Sequence, residues 1–272
     1  MSDTIVAPPA NASAGKKTAR QQAVSIARRM GLTGNDNNSS NAVAHRADQR
    51  LKNLEDQKQL NIEAILKMAI NLAGNAVNKE LDADWQFQFC QMAEQIHNSS
   101  MQQLWAQILA TEISMPGSFS LRALETLKSM TQREAILFSR AVATSVQLNQ
   151  EPSRKLLTGV RREAGLGGFS AAKQESINLS GLGLPYSNIL LLKDLGLIYG
   201  TELETGRLPK AKMLLKCQDQ NLPFTPKNNR LRLRYYRFTQ VGDELSRLIT
   251  EPANQEACKA ISSTLATHFF QG

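Results

Sequence analysis

Apolar residues recur at helical spacing through the first 150 positions, and the pattern changes beyond them. In residues 42–73, Leu51, Leu54, Ile62, Ile65, Leu66, Ala69 and Leu72 fall near a 3.6-residue period, which predicts one long helix. Its first part, HRADQRLKNLEDQKQLN, is charged on most faces and reads as a projecting helix or a coiled-coil arm. Gly74-Asn75 is its stop signal. Asp82 or Asp84 caps the next helix, on which Trp85, Phe89, Met92, Ala93 and Ile96 share one face and Phe87 lies on another. Ser99 with Gln102 matches a capping box for a third helix, with Met101, Leu104, Trp105, Ile108 and Leu109 in one stripe. Pro116-Gly117 ends it. Ser118 or Ser120 opens a fourth, with Leu121, Leu124 and Leu127 inward, and Thr131 with Glu134 opens a fifth that runs to about Leu148. Helices this close in sequence, joined by short loops, predict a compact bundle.

After Pro152 the chain is richer in Gly, Ser and basic side chains. Pro185 or Ser187 starts a helix, Gly196 caps its end, and Leu197-Ile198-Tyr199 begins a strand. Two more strands are predicted near residues 212–218 and 231–238, joined by a loop containing Pro223 and Pro226. Thr239 caps a following helix, and a last helix covers about residues 254–270. The run LLLKDLGLI leading to YYRFTQVGDEL resembles the stretch of winged-helix proteins from the recognition-type helix through the wing. The predicted fold is therefore mainly α: a helical bundle followed by a winged-helix-like α+β module with a basic β-hairpin. Its expected segments are a flexible basic arm at 1–41, the bundle at 42–150, the winged-helix-like module at 151–250 and a C-terminal helix at 251–272. The arm is assigned from Pro8-Pro9, NASAGKK and GNDNNSSN, which bury too little apolar surface to offset chain entropy. Within it, residues 18–30 have the pattern of a short basic amphipathic helix.

The 272 residues suit one or two domains with a substantial core. No apolar run reaches the roughly eighteen residues of a membrane span. The N-terminus lacks the pattern of a secretory signal. Cys90, Cys217 and Cys258 lie far apart without CxxC spacing, so they read as reduced thiols of a cytoplasmic protein. The net charge is +8 and the pI about 9.5. Nine cations stand between residues 207 and 237 (Arg207, Lys210, Lys212, Lys216, Lys227, Arg230, Arg232, Arg234 and Arg237) against one acid, Asp219. That concentration points to an anionic partner.

Alternation in RLRLRYYRF puts Arg230, Arg232, Arg234, Tyr236 and Phe238 on one face of a strand, and Leu231, Leu233 and Tyr235 on the other. Such a face suits phosphate contact with aromatic stacking, and equally an edge strand protected by charge. The expected nucleic-acid contacts are Lys210, Lys212, Arg230, Arg232, Arg234, Tyr236 and Arg237. LLLKDLG offers few polar side chains to a major groove, which argues against sequence-specific reading.

Glu112, in an apolar stripe, needs a partner, and Arg122 beyond the Pro-Gly turn is the expected one in a structural ion pair. GLGGF at residues 165–169 lacks the Lys-Ser/Thr of a phosphate loop. His45, His97 and His268 are scattered, and Cys90 beside Phe89 reads as core. No catalytic array, metal site or cofactor motif follows from these residues, so no enzyme is expected. The residues 42–73 are the expected surface for a protein partner or homo-oligomer.

Three patterns carry a family resemblance: Asp84-Trp85 with Phe89; Met-Gln-x-Leu-Trp-x-x-Ile-Leu at residues 101–109; and Glu-Ile-x-x-Pro-Gly-Ser-Phe-Ser-Leu-Arg at residues 112–122. They resemble an uncharacterised family of gammaproteobacterial proteins, from which no activity carries over. More distantly, the Leu-Trp-x-x-Ile-Leu core, followed by a Leu-x-x-Leu-(Lys/Ser)…Glu-Ala helix, resembles a domain of abortive-infection proteins in phage defence, which implies a defence or regulatory role.

Overall fold

The computed structural model describes residues 18–31, 39–74, 80–149, 151–164, 171–217, 220–250 and 252–271. Much of the predicted arm, the GLGGF turn and Asp219 lie outside them. The chain divides into two compact units, Met1–Leu60 and Asn61–Gly272.

The first unit holds α1 (Ala19–Arg29) and the beginning of α2 (Ser40–Leu72). Thr18 and Gln21 close a capping box at the start of α1, and Arg28 and Arg29 sit in its last turn, where cations suit the helix dipole. Val24, Ile26, Met30, Leu51, Leu54 and Leu60 are exposed.

The second unit contains the end of α2, then α3 (Ala83–Ala93), α4 (Ser99–Ser114), α5 (Leu121–Ser129) and α6 (Gln132–Thr144). Capping chemistry explains these starts. Asp82 accepts from the Trp85 amide, Ser120 from Ala123, and Thr131 with Glu134 forms the expected capping box. One cap differs. Asn98, not Ser99, caps α4, and the Gln102 side chain donates instead to the Ile96 carbonyl and to buried Asn61. Trp85 stacks on Phe89, which tilts against Trp105 at 5.3 Å between ring centres.

The rest is mixed. β1 (Gln147–Leu148), β2 (Lys155–Arg162) and β3 (Lys173–Ser176) precede α7 (Tyr186–Asp194); β4 (Leu203–Glu204), β5 (Met213–Cys217), β6 (Gln220–Pro226) and β7 (Leu231–Arg237) follow it. Then come α8 (Gln240–Ser246), α9 (Gln255–His268) and β8 (Phe269–Gln271). Among the described residues all strand pairings are antiparallel, in two four-stranded sheets of order β3-β2-β7-β4 and β1-β5-β6-β8. The protein is an α+β fold whose N-terminal part is helical.

The predicted hairpin between residues 212–218 and 231–238 is not the one that forms. β5 pairs with β6, the segment expected as a loop, while β7 lies in the other sheet between β2 and β4. Pro223 stands opposite Leu214 of β5, and among the described residues β8 covers β6 from Phe224 onward. The expected strand at 197–199 is a single bridge, Ile198 to Phe238. Nor does the boundary at 150/151 separate two cores. Leu156, Ile189, Leu192, Phe238 and Val241 share one apolar cluster with Trp105, Leu124 and Phe138 of the helices. A second cluster lies among the sheets and α9, with Leu157, Val160, Leu233, Phe224 and Ile261.

α8 approaches the turn after α7 closely at Gly242. A β-carbon there would stand 2.1 Å from the Leu197 carbonyl oxygen and 3.2 Å from the Phe238 ring. Gly242→Ala is therefore expected to destabilise the fold by about 1–3 kcal/mol in urea unfolding, the usual range for an overpacked core. Gly200→Ala, with open space around it, is expected to unfold like the wild type.

Candidate anion-binding surface

β7 keeps its predicted alternation. Leu231 and Leu233 are buried in the second core, and the even-numbered arginines face the other way. The neighbouring strands decide what those arginines meet. Arg161 lies opposite Arg232 on β2, and Glu204 lies opposite Arg234 on β4.

The Arg232 Nε donates to Glu163 Oε1 at 2.5 Å, and Arg207 Nη2 reaches Glu163 Oε2 at 2.7 Å. Hydrogen bonds from Arg232 first and Arg207 second hold the Glu163 carboxyl below its usual range. Arg234 pairs with Glu202, and Arg161 donates to both oxygens of Glu204 at 3.2 Å. Much of the charge in RLRLRYYRF is thus met by acids outside it.

The seven predicted contact residues do not form one site. Lys210 and Lys212 are exposed in the loop before β5, and no acid among the described residues pairs with them or with half-buried Arg230. The loop joins this end of the sheet through the Leu208 amide, which donates to Leu231, while Glu163 donates its amide to Arg230. Tyr236 is turned toward α7, with the Lys193 ammonium 4.5 Å from its ring centre. Arg237 lies at the far end of β7, donating to Ser153 Oγ at 3.0 Å.

Reading the chain locally missed Glu163, Glu202 and Glu204. Glu202 and Glu204 carry a signal, since residues two apart share one face of an extended strand as Arg232 and Arg234 do.

The ion pair expected between Glu112 and Arg122 does not occur among the described residues. Buried Glu112 accepts instead from the Gly117 and Phe119 amides. The turn itself supplies these donors. Gly117 has φ +88, which a side chain disfavours, and the backbone folds back over the end of α4. A second buried carboxylate, Glu244 of α8, accepts from the Ser120 amide and hydroxyl at the start of α5. Both acids serve backbone geometry. Glu112→Gln replaces one acceptor by a donor facing an amide, so it is expected to cost about 1–3 kcal/mol in urea unfolding. Arg122→Gln is expected to change stability by less than about 0.5 kcal/mol; an equal loss from both would restore the ion pair.

Among the described residues, no group of three or more His, Cys, Asp or Glu side chains could hold a metal, and no helix is long and apolar enough to cross a membrane. Burial, then the neighbouring Cys258, pushes the Cys217 thiol above its usual range. A family model described as a protein of unknown function, DUF2806, matches residues 45–262. No curated protein and no solved structure matches the chain.

Proposed function

The chain belongs to the DUF2806 family, and we propose that it is a cytoplasmic, non-enzymatic protein that binds nucleic acid through one end of the β3-β2-β7-β4 sheet. The contacts are Lys210, Lys212 and Arg230, with Arg207 and Arg232 held behind them by Glu163. The observation that carries the reading is the charge balance of this sheet face. Arg161, Arg207, Arg230, Arg232 and Arg234 meet Glu163, Glu202 and Glu204, five cations to three acids, with Lys210 and Lys212 exposed beside them. Such a surface binds phosphate without reading bases. In this reading the segment from α7 through α8 serves as a winged-helix-like module whose helix does not read bases, since LLLKDLG offers few polar side chains to a groove.

The test is binding of mixed DNA and RNA to the full chain at two salt concentrations. Affinity is expected to fall steeply with salt, by roughly 0.9 log units per log unit of salt for each phosphate contacted. The triple variant K210E/K212E/R230E is expected to bind at least about tenfold more weakly. Glu163→Gln, which removes an acid between Arg207 and Arg232, is expected to bind more tightly and to steepen the salt slope by about one. Wild-type binding by the triple variant would sink the proposal.

A second reading makes the chain a self-associating scaffold in phage defence, as the abortive-infection resemblance implies. Ala44, Ala47, Leu51 and Leu54 follow the a/d spacing of a heptad, Arg50 and Glu55 flank it, and both leucines are exposed. Here L51E/L54E is expected to convert a dimer to a monomer in light scattering without loss of helicity. A wild-type chain that is already monomeric removes this reading.

A further inference from the structure

An open cleft of about 460 Å³ lies between the end of β3 and the start of α7. Its volume falls in the roughly 300–1,000 Å³ range of small-molecule sites. Ser176, Asn178 and Ser180 line it from the β3 side, and Tyr186, buried Ile189 and half-buried Tyr236 line it from α7 and β7. The Tyr186 ring is 65 % exposed, although it could have packed on the sheet as Ile189 does.

Two periodicities bring these residues together. Tyr186 and Lys193 are seven residues apart on α7, about two turns, so they share one face of the helix. That face meets Tyr236: the Lys193 ammonium stands 4.5 Å from the Tyr236 ring centre and 5.8 Å from that of Tyr186. Tyr236 in turn shares a face of β7 with Arg232 and Arg234, because residues two apart point the same way. Ser176 lies in the same row of the sheet, opposite Gly159, which lies opposite Arg234. The cleft therefore borders the arginine face.

Its own lining is neutral: among the described residues, none that lines it is charged. Lys193, at its margin, has no acid partner among them. Glu202 is paired with Arg234. Glu175, next to Ser176 on β3, points to the opposite face, where Lys173 and His268 hold it. Asp194 follows Lys193 about 100° round the helix.

A neutral cleft with an aromatic ring on one wall and short hydrogen-bonding side chains on the other suits a flat, uncharged ring with polar edges. The Gly181 amide donates to Asn178 Oδ1 at 3.1 Å, which fixes that side chain and leaves its NH2 group as a donor. A cation at the margin, beside a row of arginines, suits a phosphate attached to such a ring. A nucleotide has both parts. Bases of a duplex are held in the stack, so only an unpaired base can turn out onto a tyrosine.

We propose that this cleft takes a base of single-stranded nucleic acid, stacked on Tyr186, with Lys193 against the adjoining phosphate. The inference rests on the reading of this sheet as a nucleic-acid surface, and adds the form of the strand. Stacking tolerates any base, in keeping with a surface that does not read sequence.

The experiment is fluorescence anisotropy of the full chain with one mixed DNA sequence of about sixteen nucleotides, labelled as a single strand and as its duplex. The single strand is expected to bind more tightly than the duplex. Tyr186→Ala is expected to weaken single-strand binding about fivefold to a hundredfold, the range for one stacked base. It leaves the duplex affinity, the circular dichroism spectrum and the salt slope unchanged, since the ring carries no charge. Tyr186→Phe, which keeps a ring, is expected to bind like the wild type. K210E/K212E/R230E is expected to weaken both forms, which separates the phosphate surface from the cleft. The proposal is overturned, with the nucleic-acid reading left standing, if Y186A binds the single strand as the wild type does, or if duplex binds as tightly as single strand. Binding of neither form overturns both.

Discussion

Two buried carboxylates tie the second unit together around one turn. Glu112 and Glu244 are 4 % and 5 % exposed, and a carboxylate at that depth costs several kcal/mol unless donors surround it. The turn after α4 provides them as backbone amides: Gly117 and Phe119 to Glu112, Ser120 to Glu244. The bonds run from three elements, α4, α5 and α8, so none of the three can shift without exposing an acid or stranding an amide. Fixing the turn also fixes Phe119. Its ring is buried, and its carbonyl accepts from the Trp85 indole at 2.8 Å, which anchors α3 through the aromatic cluster. The helical and the mixed parts share a core because α8, which arrives late in the chain, closes this clamp on a turn more than a hundred residues earlier.

How much of this is written locally depends on the range of the interaction concerned. Helix starts are set by a side chain and an amide three residues on, so Thr131 and Thr239 can be read directly and Asp82 and Ser120 are each one of two candidates, Asp84 and Ser118 being the others. β2 could not, because its period is broken. The register with β7 shifts between Leu157 and Gly159, and both Leu156 and Leu157 are buried, on opposite sides in different cores. The pairing of β7 does not follow from sequence order for a related reason. Adjacent strands in sequence suggested a hairpin, yet β5 closes with β6 across Pro223 and leaves β7 to find β2 some seventy residues back. Glu112 was correctly marked as a charge needing a partner. The donors it found are peptide amides, which have no letter in the sequence; only the Gly in Pro116-Gly117 announces a backbone able to turn and supply them.

Charge gives the sharper lesson, since counting it along the chain and locating it in space lead to different surfaces. Nine cations against one acid in residues 207–237 describes a uniform basic stretch. Folding brings Glu163 from β2's end, Glu204 from β4 and Glu202 from just before it, and these meet Arg207, Arg232, Arg234 and Arg161. A guanidinium facing a carboxylate at an exposed site gives little stability, on the order of 0–1 kcal/mol. It also gives up most of its pull on a distant phosphate, because the pair looks neutral beyond a Debye length of about 8–10 Å. A guanidinium facing a serine hydroxyl keeps its charge. β7 carries both kinds. Arg232 and Arg234 are matched to acids at close range, while Arg237, a few residues along the same strand, donates to Ser153 at 3.0 Å and stands 3.7 Å from Glu151. The pull of this strand on an anion is therefore set by the neighbours of each arginine, and of the contacts expected from the sequence it is Lys210, Lys212 and Arg230, at one end, that have no acid partner among the described residues.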